Sequence, residues 1–353
     1  MGIDALSTVA DHRGARERLA TPPPARGALS AALAAVLARP EPPTELTLPA
    51  ADGFDDEQIA LWTLYELHHR GFDQVDAEWE WSPDLLRVRR GLEESLLARV
   101  RNDVGEIADL EADDLPAALD EVTSADGPSL SRHLHRRATR TQAVEFLVHK
   151  SVYHLKEADG HSWGIPRYPA DVKAGLLEIQ FDEYGGEFGA ARMHSELFRA
   201  TMRGFGLDDG YGRYVERVPA TTLATGNLIS LFGLHRRWRG ALAGHLAAFE
   251  MTSSVPNRRY AQGFRRLGAD DDTCRFFDEH VEADAVHEQL AVHAFCVPLV
   301  RREPELAVEV VFGAAAAMAT DRWLAAPVLE AWEAGRTSLL PPSGGEQAWA
   351  ATA

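Results

Sequence analysis

Within Phe276–His287, three potential metal ligands, His280, Asp284 and His287, stand at i, i+4 and i+7. At about 100° per residue, Asp284 lies roughly 40° and His287 roughly 20° around a helix from His280, so all three project from one face. Two imidazoles and a carboxylate in one stripe are poor material for an apolar core. The stripe therefore constrains the fold: the segment is a helix, and this face meets either water or further ligands on neighbouring elements. Imidazole with carboxylate suits iron, manganese or zinc, and a carboxylate-rich helical site favours iron or manganese.

The rest of the chain supports a helical surrounding. From Ser129 onward, apolar residues recur at helical spacing over 129–158, 169–185, 187–203, 220–232, 236–252, 272–301, 304–321 and 325–336, punctuated by Gly185-Gly186, Pro219, Pro256 and Pro304. Before it, Ala28–Arg39, Asp55–Arg70 and Pro83–Val104 read as helices, and Asp113–Pro128 as a polar connector. No segment alternates as a strand does. The predicted fold class is all-α, organised as a flexible arm (1–27), an N-terminal helical region (28–125), a main helical domain (126–340) and a frayed tail (341–353).

The formal charge of −18 argues against nucleic-acid and anionic-membrane partners, which repel a net anion. The longest apolar run, near Val310–Ala319, is about half the ~20 residues a spanning helix needs. The apolar Ala28–Ala38 imitates a signal-peptide core but follows a mixed-charge segment and precedes a Pro-rich one, so it is read as a helix. Only Cys274 and Cys296 occur, with no CxxC pair, which fits a reducing, cytoplasmic location.

Other potential ligands lie upstream. Glu183 and Glu187 precede His194 by eleven and seven residues, and on an unbroken helix either would share its face. Gly185-Gly186 lies between and weakens that phasing, so spacing leaves the two open. Glu250 ends the apolar stretch Leu242–Phe249, as a buried ligand or as the polar edge of a core helix. Glu157 closes a long amphipathic helix, as a ligand or as a cap. Glu178 and Asp182 are read as solvent-facing, and His149, His154 and His161 as ordinary helix or loop histidines. The run His235–Arg239 reads as a solvated helix start rather than an anion site, and Tyr184 as either a hydrogen-bond donor to the centre or a packed helix-end residue.

Taken in order, Glu157, Glu183, His194, Glu250, His280, Asp284 and His287 resemble the ligand set of the heme-oxygenase-like di-iron oxidases. The 56 residues from His194 to Glu250 and the 30 from Glu250 to His280 suit that pattern. The flanking Asp182–Gly186 and Ala248–Ser253 are similar to bacterial iron-containing redox enzymes of that superfamily. The resemblance covers roughly residues 140–300; residues 1–125 match no pattern.

It implies a heme-oxygenase-like helical bundle, with the N-terminal helical region as an addition. It places the early carboxylate at Glu183, and it implies two iron ions cycling between Fe(II) and Fe(III) with dioxygen as co-substrate. Carboxylates on facing helices suit such a site because they bridge metals and balance charge. The implied reaction is N-oxygenation, desaturation or oxidative C–C cleavage of a small molecule. An amine or amino-acid derivative is preferred over a fatty-acid-like acid. The implied partners are this small-molecule substrate, an unidentified electron donor and a second copy of the chain in a homodimer. The rival readings are a cofactor-independent enzyme of the pyrroloquinoline-quinone synthase or thiaminase type, and a non-catalytic helical metal-binding protein.

Overall fold

The computed structural model describes residues 17–40 and 46–342, except for the side chains of Glu282, Asp284 and Ala285. Among the described residues the chain is helical, with one isolated bridge between Leu19 and Phe72 and no sheet. The N-terminal region contributes α1 (Ala28–Leu37), α2 (Phe54–Glu66), α3 (Pro83–Val104) and α4 (Leu115–Thr123). The main bundle contains α5 (Leu130–Arg136), α6 (Arg140–His154), α7 (Glu157–Ser162), α8 (Ala170–Glu183), α9 (His194–Gly204) and α10 (Ala220–Leu234). It continues with α11 (Arg239–Arg266), α12 (Asp271–Gln289), α13 (Val297–Arg302) and α14 (Ala307–Glu333). No helix among the described residues is long and apolar enough to cross a membrane.

Local chemistry sets several boundaries. Thr139 accepts from the Gln142 amide at 3.2 Å while the Gln142 side chain accepts from the Thr139 amide at 3.1 Å, a reciprocal cap that starts α6. Asp270 caps α12 by accepting from the Thr273 amide at 2.9 Å, with Asp271 and Asp272 adding negative charge to the first turn. Between α12 and α13 the backbone widens into a π-helical segment, Leu290–Cys296. Pro298 follows at the start of α13 and has no N–H to donate to the Ala294 carbonyl one turn earlier.

The periodic segments differ from their predicted extents where tertiary contacts take over. The segment 129–158 is divided among α5, α6 and the start of α7, because the Thr139 cap begins a new helix and Lys156 leaves helical geometry at φ −147°. The connector Asp113–Pro128 contains α4, whose Leu115 and Leu119 are fully buried against the core. Conversely, α11 runs through Pro256 and α14 through Pro327. Each proline removes a single backbone bond, and packing along a long helix outweighs that loss.

The core centres on the crossing of α11 with α14. A Cβ on Gly244 would lie 1.7 Å from the Val310 carbonyl oxygen, and one on Gly313 would lie 2.0 Å from that of Ala241. Only glycine lets these backbones approach so closely. The N-terminal helices share this core: Leu61, Leu64 and Leu96 cluster with Leu228, Phe232 and Leu242. Asn227 donates to the Gln58 carbonyl at 2.9 Å, and Arg26 donates to the carbonyls of Val215 and Val218 at 2.9 and 2.8 Å. Of the predicted arm, residues 1–16 lie outside the described residues and 17–27 run along this surface. The predicted tail lies outside them from 343 onward.

Candidate metal centre

Four helices supply one buried cluster. Glu183 is the last residue of α8 and His194 the first of α9, and the two are joined by a turn with φ +95° at Gly185 and +55° at Gly186. A side chain at Gly185 would lie 2.1 Å from the Gly189 carbonyl oxygen, so this turn requires glycine. It folds α9 back so that Glu183 Oε2 lies 3.0 Å from His194 Nδ1. The two therefore meet across a reversal of the chain, not through a shared helical phase. Glu250 comes from α11, His280 and His287 from α12, and all five side chains are buried. Glu187 is exposed on the turn.

The ligand atoms fall into two groups. Glu183, His194 and His280 each offer an atom within 4.8 Å of the others; so do Glu183, Glu250 and His287. Glu183 belongs to both. The His194 and His280 rings face each other with centroids 4.3 Å apart. Glu157, at the start of α7, borders the same cluster outside both groups: Tyr153 donates to its Oε1 at 2.7 Å and His154 Nδ1 to its Oε2 at 2.8 Å. Asp284 is a residue of α12, but its side chain lies outside the described residues.

The protonation preferences diverge across the cluster. His280 Nδ1 donates to the Phe276 carbonyl at 2.7 Å, so Nε2 carries the lone pair, and that atom is buried with no hydrogen-bond partner among the described residues. A buried acceptor left unmatched is costly, and a metal ion would satisfy it. Burial, and then the neighbouring His194, pull the His280 pKa down to about 4, which keeps it neutral at pH 7.

His287 behaves oppositely. Burial lowers its pKa, but Glu250, with Oε2 3.4 Å from Nδ1, and Asp182, with Oδ2 3.0 Å from Nε2, raise it to about 9. Burial raises Glu250, the nearby Glu183 and Glu157 add to this, and the net displacement is upward despite His287. Burial also opposes ionisation of Glu157 and Glu183, yet His154 and His194 respectively outweigh it and hold both below the usual carboxylate range. Packing anionic carboxylates beside imidazoles produces this divergence, and a bound cation would favour all of them in their ligating forms.

Three residues near the centre escape the sequence reading. Asp182, read as solvent-facing, is half exposed but turns its carboxylate to His287. His154, read as an ordinary helix histidine, holds Glu157, with the Phe198 and Phe276 rings against it at 4.8 and 4.9 Å. Tyr153 shares that carboxylate. The i, i+3 and i, i+4 spacings from His154 and Tyr153 to Glu157 were the available signal. Tyr184 donates to Asp159 Oδ1 at 2.8 Å rather than to a ligand of the centre. His161 pairs with His245, Nε2 to Nδ1 at 3.1 Å, and His235 is half-buried with Nε2 2.9 Å from Glu93.

A family model described as "Iron-containing redox enzyme" matches residues 144–322, about half of the chain and every residue of the candidate cluster. No curated protein matches the chain. The all-α bundle is the fold expected for this heme-oxygenase-like group, and the buried carboxylate–imidazole cluster suits the metal in the description. The chain belongs to the iron-containing redox enzyme family, and is accordingly an iron-binding oxidoreductase.

Proposed function

We propose that this chain is a non-heme di-iron oxidase or oxygenase that uses dioxygen to oxidise a small amine or amino-acid-derived molecule. One observation carries the reading: Glu183 is common to two three-residue groups, so these buried donors would hold two ions with Glu183 serving both. His194 and His280 would hold one iron, and Glu250 and His287 the other. Glu157 borders both groups, and Asp284 would be the further ligand that the resemblance implies. Bound iron would supply the redox step with dioxygen.

The chain's own residues prepare that chemistry. Asp182 fixes the His287 ring through Nε2, leaving Nδ1 for the cluster. The Phe276 carbonyl does the same for His280 through Nδ1. Tyr153 and His154 keep the Glu157 carboxylate oriented and anionic. Phe198, Phe249 and Phe276 form an apolar shell beside these groups, excluding water. An external electron donor, a cytoplasmic setting and a homodimeric assembly complete the proposal.

A cofactor-independent enzyme of the same fold has no need for this many converging ligands, and a storage protein has no need to couple its iron to oxidation of an organic molecule. The test is anaerobic addition of Fe(II) followed by oxygen, with metal analysis, Mössbauer spectroscopy and oxygen consumption. Two irons per chain and rapid oxygen uptake are expected. Wild-type protein that takes up no iron would end the reading, and two irons without oxygen uptake would favour storage.

A further inference from the structure

A pocket opens beside the cluster, lined by Glu157, Glu183 and His194 together with Arg70, Lys156 and Asp159. Arg70 follows α2 in the N-terminal region, outside the matched segment 144–322. The two basic side chains that line it are held very differently. Lys156 is committed to the interior: Nζ lies 3.1 Å from Glu66 Oε2, both side chains are buried, and Tyr211 donates to the same oxygen at 2.7 Å.

Arg70 is held in place by groups that leave its charge available. Its guanidinium lies 4.2 Å from the centroid of the Tyr211 ring, and Nη2 donates to the Leu155 carbonyl at 3.3 Å. These contacts fix the plane of the group. Its anionic partners are weak. Glu17 Oε2 is 3.2 Å from Nη1, but that side chain is 82% exposed. Nη1 also donates to the Glu17 carbonyl at 3.2 Å. Asp159 Oδ2 is 3.8 Å from Nη2, and the Tyr184 hydroxyl donates to its other oxygen at 2.8 Å. Exposed ion pairs contribute little, so an incoming anion displaces Glu17 at small cost. A planar, pre-oriented guanidinium at a pocket wall is suited to grip a carboxylate through two parallel hydrogen bonds.

The geometry points to Arg70 as the anchor for a carboxylate on the organic substrate, with Glu17 occupying its place in the free protein. This rests on the pocket being the substrate's approach to the metal centre proposed above. It narrows the substrate class to carboxylate-bearing molecules, amino acids rather than simple amines. It also gives the N-terminal region a part in specificity.

The test is isothermal titration calorimetry on the full chain, both metal-free and loaded anaerobically with Fe(II). The probes are matched pairs: leucine and isoamylamine, lysine and cadaverine, tyrosine and tyramine, octanoate and octanol. At least one acid should bind about tenfold or more tightly than its partner, as loss of a charged contact entails. Arg70→Gln should erase that preference, Arg70→Lys retain part of it, and Glu17→Gln strengthen binding of the acid. Equal binding within every pair, no binding by either member, or an undiminished preference in Arg70→Gln overturns the assignment. So does weaker acid binding in Glu17→Gln. If Arg70→Gln loses its circular-dichroism signature, Arg70→Lys and Glu17→Gln decide the matter. Iron content is read separately. Wild-type protein that takes up no iron defeats the di-iron reading, while acid preference in the metal-free chain still decides Arg70.

Discussion

Glu183 and His194 stand 3.0 Å apart, Oε2 to Nδ1, although α8 ends at one and α9 begins at the other. The glycine turn between them makes Glu183 the junction of the two ligand groups. Its loss should therefore cost more metal than the loss of any histidine. Glu183→Ala should lower iron from two per chain to near none. His194→Ala, His280→Ala and His287→Ala should each prevent di-iron occupancy but leave one group able to hold iron. Metal analysis after desalting, with the exposed Glu187→Ala as control, reads this directly. Equal iron in Glu183→Ala and the wild type would remove Glu183 from the centre.

Asp182 reaches His287 from outside the cluster. Asp182→Asn should weaken iron binding about 10- to 100-fold while preserving full stoichiometry at saturating iron, since it disturbs ligand orientation rather than ligand number. A chelator-competition titration gives the affinity. An unchanged titration curve would mean that Glu250 alone orients His287.

Gly244 and Gly313 let α11 and α14 cross at backbone contact. Alanine gains roughly 1 kcal/mol of helix propensity at an exposed glycine, but here its methyl group would sit 1.7 Å from the Val310 oxygen. Overpacking of this kind costs typically 1–3 kcal/mol. Gly244→Ala should lower Tm, measured by calorimetry, whereas Gly91→Ala on α3, with open space around its Cβ position, should not.

Glu145 ties the segment after α14 to α6. It accepts from the Trp332 indole at 2.7 Å, the Ser338 amide at 2.9 Å and the Ser338 hydroxyl at 2.6 Å. Burial would raise its pKa, but these donors outweigh burial and lower it. A depressed folded-state pKa contributes stability that is fully present above the ordinary glutamate value of about 4.3 and disappears as pH falls through the lower folded value. Glu145→Gln should therefore destabilise the protein at pH 7 by about 1–3 kcal/mol. The difference from wild type should shrink in denaturant melts near pH 3. A difference independent of pH would show that hydrogen bonding alone, without the charge, holds the segment.

By itself the sequence determined the helical class and named the residue types from which a metal centre could be built. Periodicity of 3.6 residues and the placement of proline and glycine are local properties, legible along the chain. His280 and His287 face one way because seven residues make nearly two helical turns, whatever surrounds them. Glu183 and Glu187 were equivalent by spacing and the resemblance selected Glu183; in the fold Glu183 is buried and Glu187 is exposed on the turn. What only the tertiary structure decided depends on distant contacts. The helix at Leu115–Thr123 exists because two leucines find a core, and α14 survives Pro327 because its packing exceeds one lost hydrogen bond. Asp182 meets His287 across 105 residues, and Arg70 meets Leu155 across 85. No periodicity carries such pairings, because loop geometry and the close crossing of α11 with α14 set them, and those follow from the whole core.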